Sequence, residues 1–184
     1  MQFVFVGNNL ALDFCNTQVA ERKKVRDLLL TWSDFYHWAE LAELPVEQQP
    51  DVEFERVLAL RADMTQLIAD KAEGHVSASP KLDLLNDYLG IAHDLQHLDF
   101  NAASGEFILQ PRHRLLPVSA VLAKIAEAAA QALVAEQRYP VKKCANPDCV
   151  LHFLDTSRTG KRKWCSMDIC GNRTKVAVHQ RKHS

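Results

Sequence analysis

Four of the five cysteines in this 184-residue chain fall into two pairs of identical internal spacing, Cys144-x4-Cys149 and Cys165-x4-Cys170, with fifteen residues between them. Such pairs, flanking a segment able to fold into a hairpin, suit four thiolates converging tetrahedrally on one Zn²⁺. The competing arrangements are two disulfides, or four unrelated buried thiols. The chain opens Met1-Gln-Phe-Val-Phe-Val-Gly, without the basic region and long apolar stretch of a secretory leader. No apolar run approaches the roughly 18 to 20 residues that span a bilayer. A cytoplasmic protein with no membrane partner is therefore expected, and its reduced thiols would be free to bind metal.

Charge divides the chain at the same place. From Val141 onward ten Lys/Arg oppose three Asp, a surplus of +7, while the first 140 residues carry twelve bases and twenty acids, or −8. The near-neutral total of −1 thus hides two opposite halves. A small metal-pinned unit with that surplus gains free energy by displacing counterions from a nucleic-acid backbone. The alternative is that the basic tail docks onto the acidic part. The whole chain is 47% hydrophobic and 24% charged, so its first 140 positions can bury a core of their own.

Along that part, Phe3–Val6 is aromatic and β-branched and predicts a short strand ending at Gly7. Leu10 to Val19 has helical spacing, with Cys15 expected as a buried apolar thiol. The cluster Arg22, Lys23, Lys24 and Arg26 reads as a solvated face or loop. Ser33 is placed to cap a helix over 34–44 whose stripe is Trp32, Phe35, Trp38, Ala39 and Leu41. A long amphipathic helix is expected over 52–73, with Val57, Leu60, Met64, Leu67 and Ile68 inward and Gly74 as its stop. After a linker over 75–80, a helix is expected from Pro80 to about His97, carrying Leu82, Leu85, Leu89 and Ala92. His93 and His97 on it read as surface or capping residues. Glu106–Gln110 predicts a strand with Leu115-Leu116 as its mate. Pro117 opens an alanine-rich helix to about Glu136, with Val121, Leu122, Ile125, Ala129 and Leu133 on one face. Phosphate-loop and nucleophile-elbow motifs are absent and no acid/base pair stands out, so an enzyme is not expected.

Within the tail, Asn146-Pro147-Asp148 supplies turn residues for a metal knuckle. Val150–Leu154 predicts the first strand of a hairpin, with Phe153 over the metal and Lys161–Trp164 returning. Ser166 then caps a last helix that brings in Cys170. At about 100° per residue, Ile169, Arg173, Val176 and Ala177 would face the finger, leaving Lys175, His179 and Lys182 outside. Arg173 is thus expected to bond a carbonyl or shield a thiolate, and Trp164 to be core. Phosphate contact is expected from Arg162, Lys163, Lys175, Arg181 and Lys182. Arg162, Asn172, His179 and Gln180 are of types that read base edges.

The run Cys144-x4-Cys149, Phe153-x-Asp155-x-Ser157, Arg162-x-Trp164-Cys165-Ser166-Met167-x-x-Cys170-Gly171-Asn172-Arg173-x-Lys175 resembles the CGNR zinc finger family. Gly7-x-x-x-Ala11-Leu12-Asp13-Phe14-x-Asn16-Thr17, with Trp38, resembles the ABATE domain that precedes this finger. The resemblance implies a bacterial transcription regulator with an ABATE-like α/β domain over 1–140, as sensor or dimerisation unit, and a DNA-binding finger over 141–184. The overall expectation is an α+β protein: a mainly helical N-terminal domain with a small β-sheet, then a treble-clef-like finger on structural zinc. Expected partners are DNA, or RNA in an adaptor alternative, with a small-molecule effector and a homodimer as further options. Asn16-Thr17 reads either as pocket lining or as a helix cap. Metal removal is expected to unfold the tail and leave the N-terminal core mostly intact.

Overall fold

A computed structural model describes residues 2–21, 24–75, 81–91, 96–111, 115–134 and 139–174. Expectations resting on Arg22, Lys23, Ala92, His93, 112–114, the last residues of the alanine-rich helix, most of the 75–80 linker, and Lys175, Val176, Ala177, His179, Gln180, Arg181 and Lys182 lie outside these. The side chain of His97 also lies outside the description.

The N-terminal segment is extended but joins no ladder. Its carbonyls serve single bonds instead: Leu154 N–H donates to Gly7 O at 2.7 Å, and the Arg162 guanidinium to Val6 O at 2.8 Å. The strand expected over residues 3–6 is therefore a clip, with Phe5 stacked 6.3 Å from buried Trp38. Gly7 lets it turn tightly into the first helix, since a Cβ there would sit 2.7 Å from Leu12 Cβ and 3.0 Å from Asp13 N. Helix α1 (Leu10–Cys15) starts under Asn9, whose side chain accepts from the Ala11 and Leu12 N–H groups. It buries Ala11, Leu12, Phe14 and Cys15.

Strands β1 (Gln18–Glu21) and β2 (Lys24–Asp27) pair antiparallel, so Lys24 and Arg26 lie on an exposed strand, the solvated face of the two readings rather than the loop. Helix α2 (Trp32–Leu41) is capped by Thr31, not Ser33. Thr31 forms a reciprocal box with Asp34, a pairing Ser33 cannot make two residues further in. The helix ends at Leu41, which is exposed, while Phe35, Trp38 and Ala39 are fully buried. Helix α3 (Phe54–Glu73) ends at Gly74 as expected and buries Val57, Leu60, Met64 and Ile68. It also buries Arg61, whose guanidinium donates to Thr17 Oγ1 at 2.7 Å and Asp27 Oδ1 at 2.8 Å. Burial alone would raise the Asp27 carboxyl, but the bonds from Arg61 and from Leu29 N–H hold it below its usual range.

Helix α4 (Asp83–Leu89) is shorter than the expected helix reaching His97, and leaves Leu82 and Leu89 exposed. Past Gly90 the chain becomes β3 (Gln96–Asn101), paired with β4 (Glu106–Pro111). The competing signal is the Asn101 turn: its side chain accepts from Ala103 and Ser104 N–H, and its carbonyl from Gly105 N–H. Because β3 pairs with β4, Leu115-Leu116 is not the mate; Leu116 bridges to Val46 instead. Helix α5 (Val118–Val134) has Asp51 on the Ser119 N–H and hydroxyl at its start. Its Val121, Leu122, Ile125 and Ala129 fill the centre of the core against α1, α3 and α4. The class is α+β as expected; among the described residues the N-terminal part has two separate two-stranded ribbons where one small sheet was expected, and a third ribbon lies in the finger.

Candidate metal centre and cationic surface

Strands β5 (Val141–Lys143) and β6 (His152–Leu154) pair antiparallel on either side of the first cysteine pair. The hairpin is thus built by the strands bracketing the knuckle, not by Val150–Leu154 with Lys161–Trp164. The Asp155 carboxylate explains the difference, because it folds 155–162 into a loop. It accepts from Ser157 N–H and hydroxyl, Arg162 N–H and, at 2.7 Å, the Lys142 ammonium. Burial opposes ionisation of this carboxyl, yet those bonds hold it at about 2. Lys163 keeps one bond to the knuckle, its carbonyl accepting from Ala145 N–H at 2.8 Å.

The knuckle turns on Asn146, whose side-chain oxygen accepts from Asp148 N–H and whose carbonyl accepts from Cys149 N–H. Ser166 starts a helical turn, Met167–Gly171, accepting from Asp168 and Ile169 N–H. That turn is π-wound, with Gly171 N–H reaching Ser166 O at 3.0 Å. Gly171 permits it, since a Cβ would lie 2.6 Å from Met167 Sδ and 3.2 Å from Trp164 Cδ1. Wider winding shifts the phase computed from an ordinary helix. Arg173, expected to face inward, is exposed, as is Asn172.

The Sγ atoms of Cys144, Cys149, Cys165 and Cys170 all lie within 4.8 Å of one another and are buried. Cys149 and Cys165 sulfurs are 3.9 Å apart, too far for a disulfide and close to the roughly 3.8 Å edge of a tetrahedron with metal–sulfur bonds of about 2.3 Å. Backbone and side-chain donors already point at the sulfurs: Cys165 N–H to Cys144 Sγ and the Asn146 amide to Cys170 Sγ, each 3.4 Å. As bare thiols these groups oppose one another. Hydrogen bonds from Cys149 and Cys165 pull Cys144 down, and the bond to Cys144 pushes both of those up. A divalent cation resolves the conflict by holding all four as thiolates. The donor set is that of a closed structural zinc site, with no position left for a reacting water.

Phe153 is wholly buried beside the site, with the Arg162 guanidinium 4.1 Å over its ring. That guanidinium also donates to the carbonyls of Trp164 (2.9 Å), Val6 (2.8 Å) and Cys165. Arg162 therefore does the carbonyl-binding work expected of Arg173, and the expectation that it faces phosphate is corrected. The reason is the 155–162 loop, which carries Arg162 back across Phe153. Trp164 is half-buried against the cysteine cluster.

The finger docks on the N-terminal part mainly through neutral groups, the Arg162 guanidinium on Val6 O being the charged exception among the hydrogen bonds of the described residues. Asn16 forms a reciprocal pair with the His152 backbone, donating to its O at 2.9 Å and accepting from its N–H at 3.0 Å. Asn8 donates to Leu154 O and Thr156 Oγ1 at 3.1 Å. Val4, Val6, Val19 and Leu28 share one hydrophobic cluster with the four cysteines and Phe153. Asn16 is thus a latch as well as the C-cap of α1. Asp13 lies under this seam, accepting from Gly7 N–H at 2.7 Å, and burial raises its carboxyl to about 6 against the pull of Gly7, Val6 and Arg162. The one ion pair the described residues show across the seam is Lys143–Glu73 at 4.0 Å. Arg158, Lys161, Lys163 and Arg173 stay exposed. Lys161 and Lys163 border a groove of about 670 Å³ shared with Phe5, Asn8, Trp164 and Met167.

The ABATE family model, described as "Putative stress-induced transcription regulator", matches residues 8–136. The chain belongs to the ABATE family. In this ABATE protein the CGNR zinc finger model also matches, over residues 141–183. No match is found among curated proteins. No described helix is long and apolar enough to cross a membrane. Sequence reasoning missed the latch, the Asp155 hub and buried Arg61. Asn16 and Asp155 sit inside motifs quoted above, so position was available but role was not.

Proposed function

We propose that this ABATE protein is a zinc-dependent DNA-binding transcription regulator, read out through the backbone phosphates by the finger. The observation that carries this is the docking seam, whose charged members among the described residues are Arg162 on Val6 O and the Lys143–Glu73 pair. It fixes the finger without consuming Arg158, Lys161, Lys163 and Arg173, so the cationic surplus remains available to a polyanion. The zinc has a structural role and the chain is not read as an enzyme. Mobility shifts of zinc-loaded protein with duplex DNA across a salt series test the reading. Affinity should fall steeply with salt; no retardation even at low salt would overturn it.

The N-terminal domain is read as the sensing part. A cavity of about 630 Å³ is lined by Ser33, Tyr36, His37, Glu40, Leu44 and Leu115, among others. The buried Tyr36 hydroxyl has no hydrogen-bond partner, which supports a ligand with a polar group there. Ligand-dependent melting shifts that vanish in Tyr36→Phe would support an effector at this place, and shifts unaffected by the substitution would remove it.

A further inference from the structure

We infer that the groove between the N-terminal clip and the finger takes one unpaired nucleobase of a nucleic-acid strand. This rests on the reading that the finger binds nucleic acid, and adds a second mode to it. The groove's chemistry is mixed in a particular way. Phe5, Val6, Trp164 and Met167 give it apolar and aromatic lining, while exposed Lys161 and Lys163 supply charge. Phosphate alone has no use for the rings, and an apolar ligand has none for the lysines. A nucleotide unit within a strand uses both: stacking is sequence-tolerant, and the flanking phosphates are anionic. Its roughly 670 Å³ lies in the range of about 300–1,000 Å³ seen for small-molecule sites.

The groove is also preformed. Phe5 is 41% exposed but rests on Trp38 with an interplanar angle of 20°, so one ring face is backed by the core. The clip behind it is fixed by Arg162 on Val6 O and by Leu154 N–H on Gly7 O. The ring needs no ordering at binding, which favours stacking. Because a base in duplex is already stacked and paired, only an unpaired one can enter. The N-terminal domain therefore contributes a side chain to the nucleic-acid site.

The test uses the zinc-loaded full chain, a short single-stranded DNA and its duplex, with fluorescence anisotropy across a salt series. Phe5→Leu keeps the apolar cover on Trp38 but removes the ring. It should weaken single-strand binding roughly 5- to 150-fold, the range for loss of one base–aromatic stack. Its salt slope and duplex affinity should be unchanged, and Phe5→Trp should restore tight single-strand binding. Lys163→Ala should weaken both substrates and lower the salt slope by about 0.7 to 0.9. Wild-type single-strand affinity in Phe5→Leu, or equal losses on both substrates, would overturn the inference while leaving duplex binding standing. Adenosine monophosphate binding as tightly as the strand would also overturn it, in favour of a soluble nucleotide. Failure of the wild type to bind either nucleic acid would instead remove the reading it rests on.

Discussion

Replacing Arg162 by alanine should destabilise the protein rather than merely weaken its hold on nucleic acid. Its guanidinium donates to the carbonyls of Trp164, Val6 and Cys165 and covers the Phe153 ring at 4.1 Å. A hydrogen bond involving a charged group contributes about 1.5–3 kcal/mol when buried, and the ring contact about 0.5–1 kcal/mol. The side chain is only half-buried, and water can satisfy part of what is lost. A cost of about 3–5 kcal/mol follows, a large share of the roughly 5–15 kcal/mol available to a folded domain. Arg162→Lys keeps the charge but not the planar fork that reaches three carbonyls, so it should recover only about 1 kcal/mol. Urea unfolding of zinc-loaded protein, with a zinc-sensitive dye reporting metal release, measures both effects. Unchanged unfolding in Arg162→Ala, with DNA affinity reduced, would refute this assignment and return Arg162 to phosphate contact.

Asn16→Ala leaves the buried His152 N–H and carbonyl without their partner, and should cost about 2–4 kcal/mol in urea melts. Chelation should expose more than the tail. Hydrogen exchange should rise at residues 4–8 and 17–19 as well as 141–174, because Val4, Val6 and Val19 share the cysteine cluster; exchange confined to the tail would contradict the shared cluster. The Asp13 carboxyl, raised from 3.8 to about 6, binds its proton more tightly in the native state. Its contribution is therefore fullest below about pH 4 and declines as pH rises to about 6, by about 2–3 kcal/mol, and Asp13→Asn should flatten that slope. Asp155, held at about 2, acts oppositely: its stabilisation is present above about pH 4 and disappears as pH falls toward 2.

Legibility of the fold followed how local each signal was. Helices α3 and α5 read directly from periodicity, because burial on one face selects the same residues that spacing selects. Thr31 displaced Ser33 because two residues compete for one cap, and only one has Asp34 at the right separation. The β3–β4 pairing overrode an apparent helix because a ribbon is decided by its turn at Asn101 as much as by its strands. At the metal centre, four cysteines declared themselves through spacing alone. That Arg162 rather than Arg173 turns onto the carbonyls could not be read so, since it depends on a π-wound turn and a loop folded around one carboxylate. The latch was hidden for a simpler reason: Asn16 and His152 lie 136 residues apart. The Asn16 and Asn8 bonds that help dock the finger are neutral, which no charge count could disclose.

X-ray absorption at the zinc edge of freshly purified protein is the most direct measurement of the central claim. One zinc per chain with four sulfur neighbours at about 2.3 Å is the expected result. No bound zinc, or a shell with fewer than four sulfurs, would contradict the account.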